Sequence, residues 1–416
     1  MSRMHVFETS QSYFDTIADH LGLDSCAATR LRTPEREFER QVTFALDDGQ
    51  SRSVPTHRIL HSDALGPTLG GLRWHTDAGS DGSRAMAAWT AWQCALFDLP
   101  LGGSCGAADC NPKELSLAER QRLARAYAEA YVDLLGTGLD TVVPDVYTTP
   151  QVMAWIADEV AIRSETPRLA AAAGKPLAIG GTLGQGDAIA RGAVIAVRET
   201  VRRAELDPAR LTFAIHGFGS LGRTAANLHT AILGGGRLLA ACDSRGGVQA
   251  PEGLNVNALS THKLQTGTVI GFPDSGTIAS EELLALEVDV LYTAATPERI
   301  SREEASSIRA RVVCELSDAP LVPEADSAVN AETTILIPDI LATGGRVVVA
   351  HSELVQNAMN DRWSAEYIHA RLDTAIEKAV REVAETAESF EVDPRMAAWM
   401  VGIERVAEAC HARGRC

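Results

Sequence analysis

No run of about 18 uncharged apolar residues occurs in the 416-residue sequence, so it holds no helical membrane span. Residues 1–15 are polar and carry no apolar core of a secretory leader, and a cytoplasmic protein is the expectation. Cysteine is present but unorganised. Cys26, Cys94, Cys105, Cys110, Cys242, Cys314, Cys410 and Cys416 form no CxxC pair and no regular spacing, which argues against a zinc site, any other metal centre and a disulfide framework. Reduced thiols are expected, Cys105 and Cys110 included. Positive charge is short: 55 acidic against 38 basic residues give a net charge of -17, which repels a phosphate backbone and favours a small-molecule ligand over nucleic acid. Lysine is scarcer still, at four positions (Lys113, Lys175, Lys263, Lys378). An acidic high-salt proteome and a GC-rich genome both produce that skew.

What is present is ample core. With 45% hydrophobic and 22% charged residues, the chain has material for two or three globular domains. The first region, to about residue 185, mixes an early helix, a strand-like stretch at 40–44 and long amphipathic segments. Ser116-x-x-Glu119 is a capping box ahead of Leu123, Ala126, Tyr127, Ala130, Tyr131 and Leu134 at helical spacing, which predicts a helix over 116–135. From 186 to 350, short apolar runs at 211–216, 237–242, 288–292, 312–316 and 334–337 alternate with helical stretches, the rhythm of a parallel sheet with right-handed crossovers. Residues 364–413 read as long helices broken near Val392-Asp393-Pro394. Trp89, Trp92 and Trp155 fall on apolar helical faces and read as core, and His75 reads as structural.

The run LTFAIHGFGSLG at 211–222 sets a glycine fingerprint directly after a strand and at the opening of a helix predicted over 223–233. Gly217 permits the tight turn, Gly219 lets backbone approach a pyrophosphate, and Gly222 allows close helix packing. The next strand ends at Asp243, 21 residues beyond Gly222, where a carboxylate suits the hydroxyls of an adenosine ribose. Asp243 favours NAD, whereas Arg245 suits the 2′-phosphate of NADP, with Ser244 between them. The balance leans to NAD.

The stretches GPTLGGLRWH at 66–75, WQCALFDLPLGGSCG at 92–106 and PDVYTTPQVMAW at 144–155 resemble the substrate domain of the glutamate, leucine, phenylalanine and valine dehydrogenases, and most of all glutamate dehydrogenases of the archaeal type. The likeness continues through GKPLAIGG at 174–181, the fingerprint with CDSRGG at 242–247, IPDIL at 337–341 and ELVQN at 353–357. It implies an α/β protein: an N-terminal substrate and oligomerisation domain over 1–185, a Rossmann-type cofactor domain over 186–350, and a helical segment over 351–416 packing back on the first domain. A hexamer, a cleft between domains and NAD(P)-dependent oxidative deamination of an amino acid are implied as well.

The resemblance also says which residues ought to act. Asp145 matches the aspartate that handles the amino group and a proton. The lysine of the family's Gly-Gly-x-Lys-Gly sequence, which assists water addition and proton transfer, is Cys105 here. The lysine expected for the substrate side chain is Leu69, the lysine for the α-carboxylate is Gln93, and a serine that touches the γ-carboxylate is Ala350. On the cofactor side a threonine becomes Ile189, and an Asn-Ala-Gly-Gly loop becomes Ala342-Thr343-Gly344-Gly345. A thiol is neutral or anionic and replaces no ammonium.

Two readings follow. One is a glutamate dehydrogenase-like oxidoreductase, with a less acidic substrate accommodated by Leu69 and Ala350 or with Arg73 or His75 restoring charge. The other is a catalytically silent pseudoenzyme that serves as a regulatory or structural subunit, or a dinucleotide sensor, in a homo-hexamer or beside an active relative.

Overall fold

The computed structural model describes residues 6–76, 79–136, 138–165, 169–295, 300–317, 328–329 and 333–416. Two compact units emerge. The first comprises residues 1–185, 347–369 and 399–416, the second 186–346 and 370–398, so the C-terminal helices pack back on the first unit while their middle stretch belongs to the second.

The first unit opens with α1 (Val6–Leu21) and α2 (Ser25–Leu31) and is built on a five-stranded sheet: β1 (Arg36–Ala45), β2 (Ser51–Ser62), β3 (Thr68–Trp74), β4 (Gly102–Ala108) and β5 (Asp140–Pro144), in the order β1-β2-β4-β3-β5. The pairs β1/β2 and β2/β4 are antiparallel, while β3 runs parallel to both β4 and β5. Three helices, α3 (Ser80–Leu96), α4 (Leu117–Ala130) and α5 (Pro150–Ser164), complete the layers. Leu72, Trp74, Leu123, Tyr127, Val142, Met153 and Ile156 fill one core. Trp92 is buried, stacked on Phe14 and edge-on to His61.

The predicted capping box exists: the Ser116 hydroxyl accepts from Glu119 N, and the Glu119 carboxylate from Ser116 N. The helix stops at Ala130, however, short of residue 135. Tyr131 and Leu135 keep the apolar rhythm because both fill the same core from the turn that follows.

In the second unit, after α6 (Ala188–Arg203), the five apolar runs become β6 (Thr212–His216), β7 (Arg237–Asp243), β10 (Val290–Thr293), β11 (Val312–Glu315) and β12 (Ile335–Ile337). All five are parallel neighbours in the order β12-β11-β10-β6-β7. Two further strands, β8 (Gly246–Leu254) and β9 (Gly276–Ile278), extend the sheet antiparallel beyond β7. The apolar pattern gives no hint of β8, in which Pro251 and Glu252 are exposed. Strand order reverses at β6, flanked by β7 and β10, the switch point where open α/β sheets bind ligands. The helix predicted over 223–233 is α7 (Ser220–Leu233).

The final stretch of the chain forms the helices Gly345–Met359, Ala365–Phe390 and Pro394–Ala412. Past the final helix the chain reverses at Gly414, which takes a φ of 64°, and brings Cys416 back to Cys410 with the α-carbons 5.6 Å apart. These two cysteines are bonded as a disulfide, contrary to the expectation that all thiols stay reduced. Among the described residues no helix is long and apolar enough to cross a membrane.

Candidate functional site

In the first unit the site residues gather through strand register. Leu69 lies beside Gly103, Gly71 beside Cys105 and Arg73 beside Ala107, and Ile59 pairs with Cys105 from the other side. Because paired residues point to the same face, Leu69, Gly71, Arg73 and Cys105 share the face that packs on α3, where Cys105 meets Ala87 and Ile59. Asp145 follows β5 and folds over Gly71: a Cβ there would stand 2.4 Å from Asp145 Oδ2, so only glycine leaves room for the carboxylate. The turn that delivers Asp145 is fixed by Thr148, whose hydroxyl accepts from Asp145 N (2.8 Å) and meets Leu72 O (2.8 Å).

Electrostatics sharpen the picture. Arg73 Nε lies 3.2 Å from Asp145 Oδ2. Cys105 is 1% exposed; burial first, then the Asp145 charge, push its thiol above the ordinary range, only partly offset by Arg73 and Arg58. At neutral pH Cys105 is therefore an uncharged thiol. Ser83 on α3 reaches toward it, and His57 Nε2 meets the Ser83 hydroxyl at 2.6 Å, with the imidazole held neutral mainly by burial. The sequence gives no signal for Ser83 or His57, because each is an isolated polar residue on an otherwise apolar face.

The opposite face of the sheet supplies rigidity. Arg58, fully buried, donates to Asp140 (2.7 and 3.1 Å), Ser104 Oγ (2.7 Å) and the carbonyls of Gly70, Gly71 and Thr141, tying β2, β3, β4 and β5 together beneath the site. Gln93 on α3 and Ala350 on Gly345–Met359 are buried on other elements of the same unit. His75 is exposed and stacks on Tyr147. Lys175, inside the GKPLAIGG stretch, is spent structurally: its ammonium is fully buried against Glu353 Oε1 at 2.7 Å.

In the second unit the glycine turn joins β6 to α7. Gly217 takes a φ of 103°, and a Cβ would meet Ala295 N at 2.5 Å; at Gly222 it would meet Gly217 O at 2.2 Å. At Gly219, the N-cap of α7, it would meet nothing within 4 Å, and no side chain caps the helix. Open space in front of uncapped helix N–H groups fits a pyrophosphate. Asp243 ends β7 beside this turn, where Cys242 O accepts from Gly217 N and Phe218 N. Its carboxylate does not stand open. Lys263, on α8 (Val256–Thr266), pairs with Oδ2 at 2.6 Å. Burial opposes the charge of Asp243, but Lys263 and the N–H groups of Arg245 and Val269 outweigh it and hold the carboxyl below its usual range.

The doubly wound second unit with its glycine turn, and the mixed-sheet first unit with Asp145 over Gly71, follow the two-unit plan of the amino-acid dehydrogenases. Residues 34–162 match the Glu/Leu/Phe/Val dehydrogenase dimerisation domain and residues 180–414 the Glutamate/Leucine/Phenylalanine/Valine dehydrogenase domain, so the chain belongs to that family. It is 34% identical to the glutamate dehydrogenase of Thermotoga maritima over 414 residues, covering 100% of this chain and 99% of that one. It is 32% identical to a cryptic catabolic NAD-specific glutamate dehydrogenase of Bacillus subtilis, covering 99% and 96%. The hetero-hexameric glutamate dehydrogenase of Thermus thermophilus, in a leucine-bound form, superposes with a TM-score of 0.91 at 30% identity over 98% of this chain and 97% of that chain.

Proposed function

We propose that this chain is a catalytically silent member of its family: a cytoplasmic subunit that keeps the dinucleotide site and the oligomer-forming unit, and that regulates or scaffolds an active relative in a hexamer. The observation that carries this reading is Cys105. A buried thiol with a raised pKa stands where the family resemblance places a proton-shuttling lysine, and the cation paired with Asp145 is Arg73. A guanidinium holds a carboxylate firmly but does not release a proton at neutral pH. Arg73 and Asp145 thus suit binding of an amino acid's carboxylate and ammonium groups, whereas neither the buried Cys105 thiol nor the Arg73 guanidinium takes up and returns a proton as a lysine amine would. Leu69 and Ala350 remove the polar partners of a second carboxylate and Gln93 removes a cation for the α-carboxylate, and losing one partner of a buried charge pair costs about 2–5 kcal/mol.

The dinucleotide, when bound, supplies hydride chemistry; Gly217, Gly219 and Gly222 cradle its pyrophosphate, and the rim beyond them is formed by Asp243, Ser244 and Arg245. The Thermus relative, hetero-hexameric and in a leucine-bound form, is the precedent for a mixed hexamer that binds an amino acid. A second reading, a dehydrogenase for a less acidic amino acid, is favoured by the buried Leu69 beside an intact Asp145. Co-expression with an active relative separates the two: a mixed hexamer whose activity responds to an apolar amino acid supports the first. Turnover of a panel of 2-oxo acids with ammonia by the isolated chain supports the second.

A further inference from the structure

Asp243 stands where the carboxylate of an NAD site accepts the ribose hydroxyls, yet all of its capacity is engaged. Oδ1 accepts from Arg245 N (2.8 Å) and Thr268 Oγ1 (3.4 Å), and Oδ2 from Lys263 Nζ (2.6 Å) and Val269 N (2.8 Å). A carboxylate offers about four lone-pair directions, and each of these has a donor. Only 5% of the side chain is exposed. A ribose 2′-hydroxyl would gain this acceptor only by dismantling the 266–269 loop.

The donors around it are arranged differently. Of the three protons on Lys263 Nζ, one goes to Asp243 and one to Gly267 O at 2.9 Å, which leaves a third on a side chain 20% exposed. Ser244 and Arg245 are exposed, and among the described residues the Arg245 guanidinium has no partner. The Lys263–Asp243 pair cancels in charge, so the residual charge of this rim is the positive one of Arg245. A group that is doubly anionic and purely accepting fits these donors; a hydroxyl does not.

We propose that Lys263 is a specificity-determining residue that silences Asp243 and, with Ser244 and Arg245, binds the 2′-phosphate of NADP(H) in preference to NAD(H). This rests on the reading of the glycine turn as a dinucleotide site. Fluorescence titration of the full chain with NADPH and NADH, and competition by 2′,5′-ADP and 5′-AMP, tests it without any turnover. Wild type binds NADPH at least about tenfold tighter than NADH, and 2′,5′-ADP competes better than 5′-AMP. Lys263→Gln loses about tenfold or more for NADPH and 2′,5′-ADP while NADH holds or tightens, and Lys263→Arg restores the preference. Tighter binding of NADH by wild type would overturn the proposal. Equal weakening of both dinucleotides in Lys263→Gln, with Lys263→Arg no better, would make Lys263 a brace of the loop and overturn it too. Binding of neither dinucleotide nor either fragment would remove the dinucleotide site itself, a result distinct from a reversed preference.

Discussion

Cys105 feels the opposed charges of Asp145 and Arg73, and its burial keeps it protonated. Replacing it by lysine adds a cation beside Arg73 without orienting a substrate, so Cys105→Lys alone recovers little glutamate turnover in a steady-state assay. Gly71→Ala should be far more disruptive than its size suggests, because the new methyl occupies the position of the Asp145 carboxylate. Two buried histidines set an acid limit on stability. Burial lowers His229 to about 3 and His61 to about 4, from an ordinary 6.5. Both are neutral in the fold, so as pH falls below 6.5 the unfolded chain takes up protons that the folded chain refuses, and stability is lost. The loss is on the order of 2 kcal/mol per histidine at about pH 5. Urea unfolding across that range should show it, and His229→Gln should flatten the slope by one proton. A slope unchanged in that variant would assign the acid loss to other groups. At this scale the sequence exposes the Cys105 exchange, since it sits inside a recognisable glycine-rich run. It does not expose the pairing of Asp243 with Lys263, twenty residues away, because that depends on where α8 returns to β7.

The elements that carry the site are stiffened from behind. Arg58 and Asp140 are 0% and 1% exposed, and removing one partner strands the other's charge. Asp140→Asn or Arg58→Met should therefore cost about 3–5 kcal/mol and lower the thermal midpoint accordingly. Capping matters less: Ser116→Ala should cost about 1 kcal/mol, and Glu119→Ala more than that, because Glu119 also accepts from Asp47 N. The cap was legible because it depends on four consecutive residues. The parallel strands were legible because strands covered on both faces read as apolar runs. Strands β8 and β9 escaped because antiparallel strands at the margin of a sheet need no such run, and the end of α4 was overestimated because Tyr131 and Leu135 fill the core from a turn.

For the whole molecule, the net charge of -17 means that copies brought together in the proposed hexamer repel one another, and salt screens that repulsion. The assembly should accordingly grow more stable with ionic strength, as sedimentation at low and high salt would show; a monomer under both conditions would contradict it. The central proposal is that a complete family fold has been retained while glutamate turnover has been lost. Its most direct test is steady-state oxidation of NADPH and NADH by the purified chain with 2-oxoglutarate and ammonia. Wild type should turn over at least about a thousandfold more slowly than an active relative, the equivalent of several kcal/mol of lost transition-state stabilisation. The combined variant Leu69→Lys, Gln93→Lys, Cys105→Lys should recover far more than the single changes together suggest. Robust turnover by the wild type would contradict the proposal, and would assign the missing lysines' work to other groups in this chain.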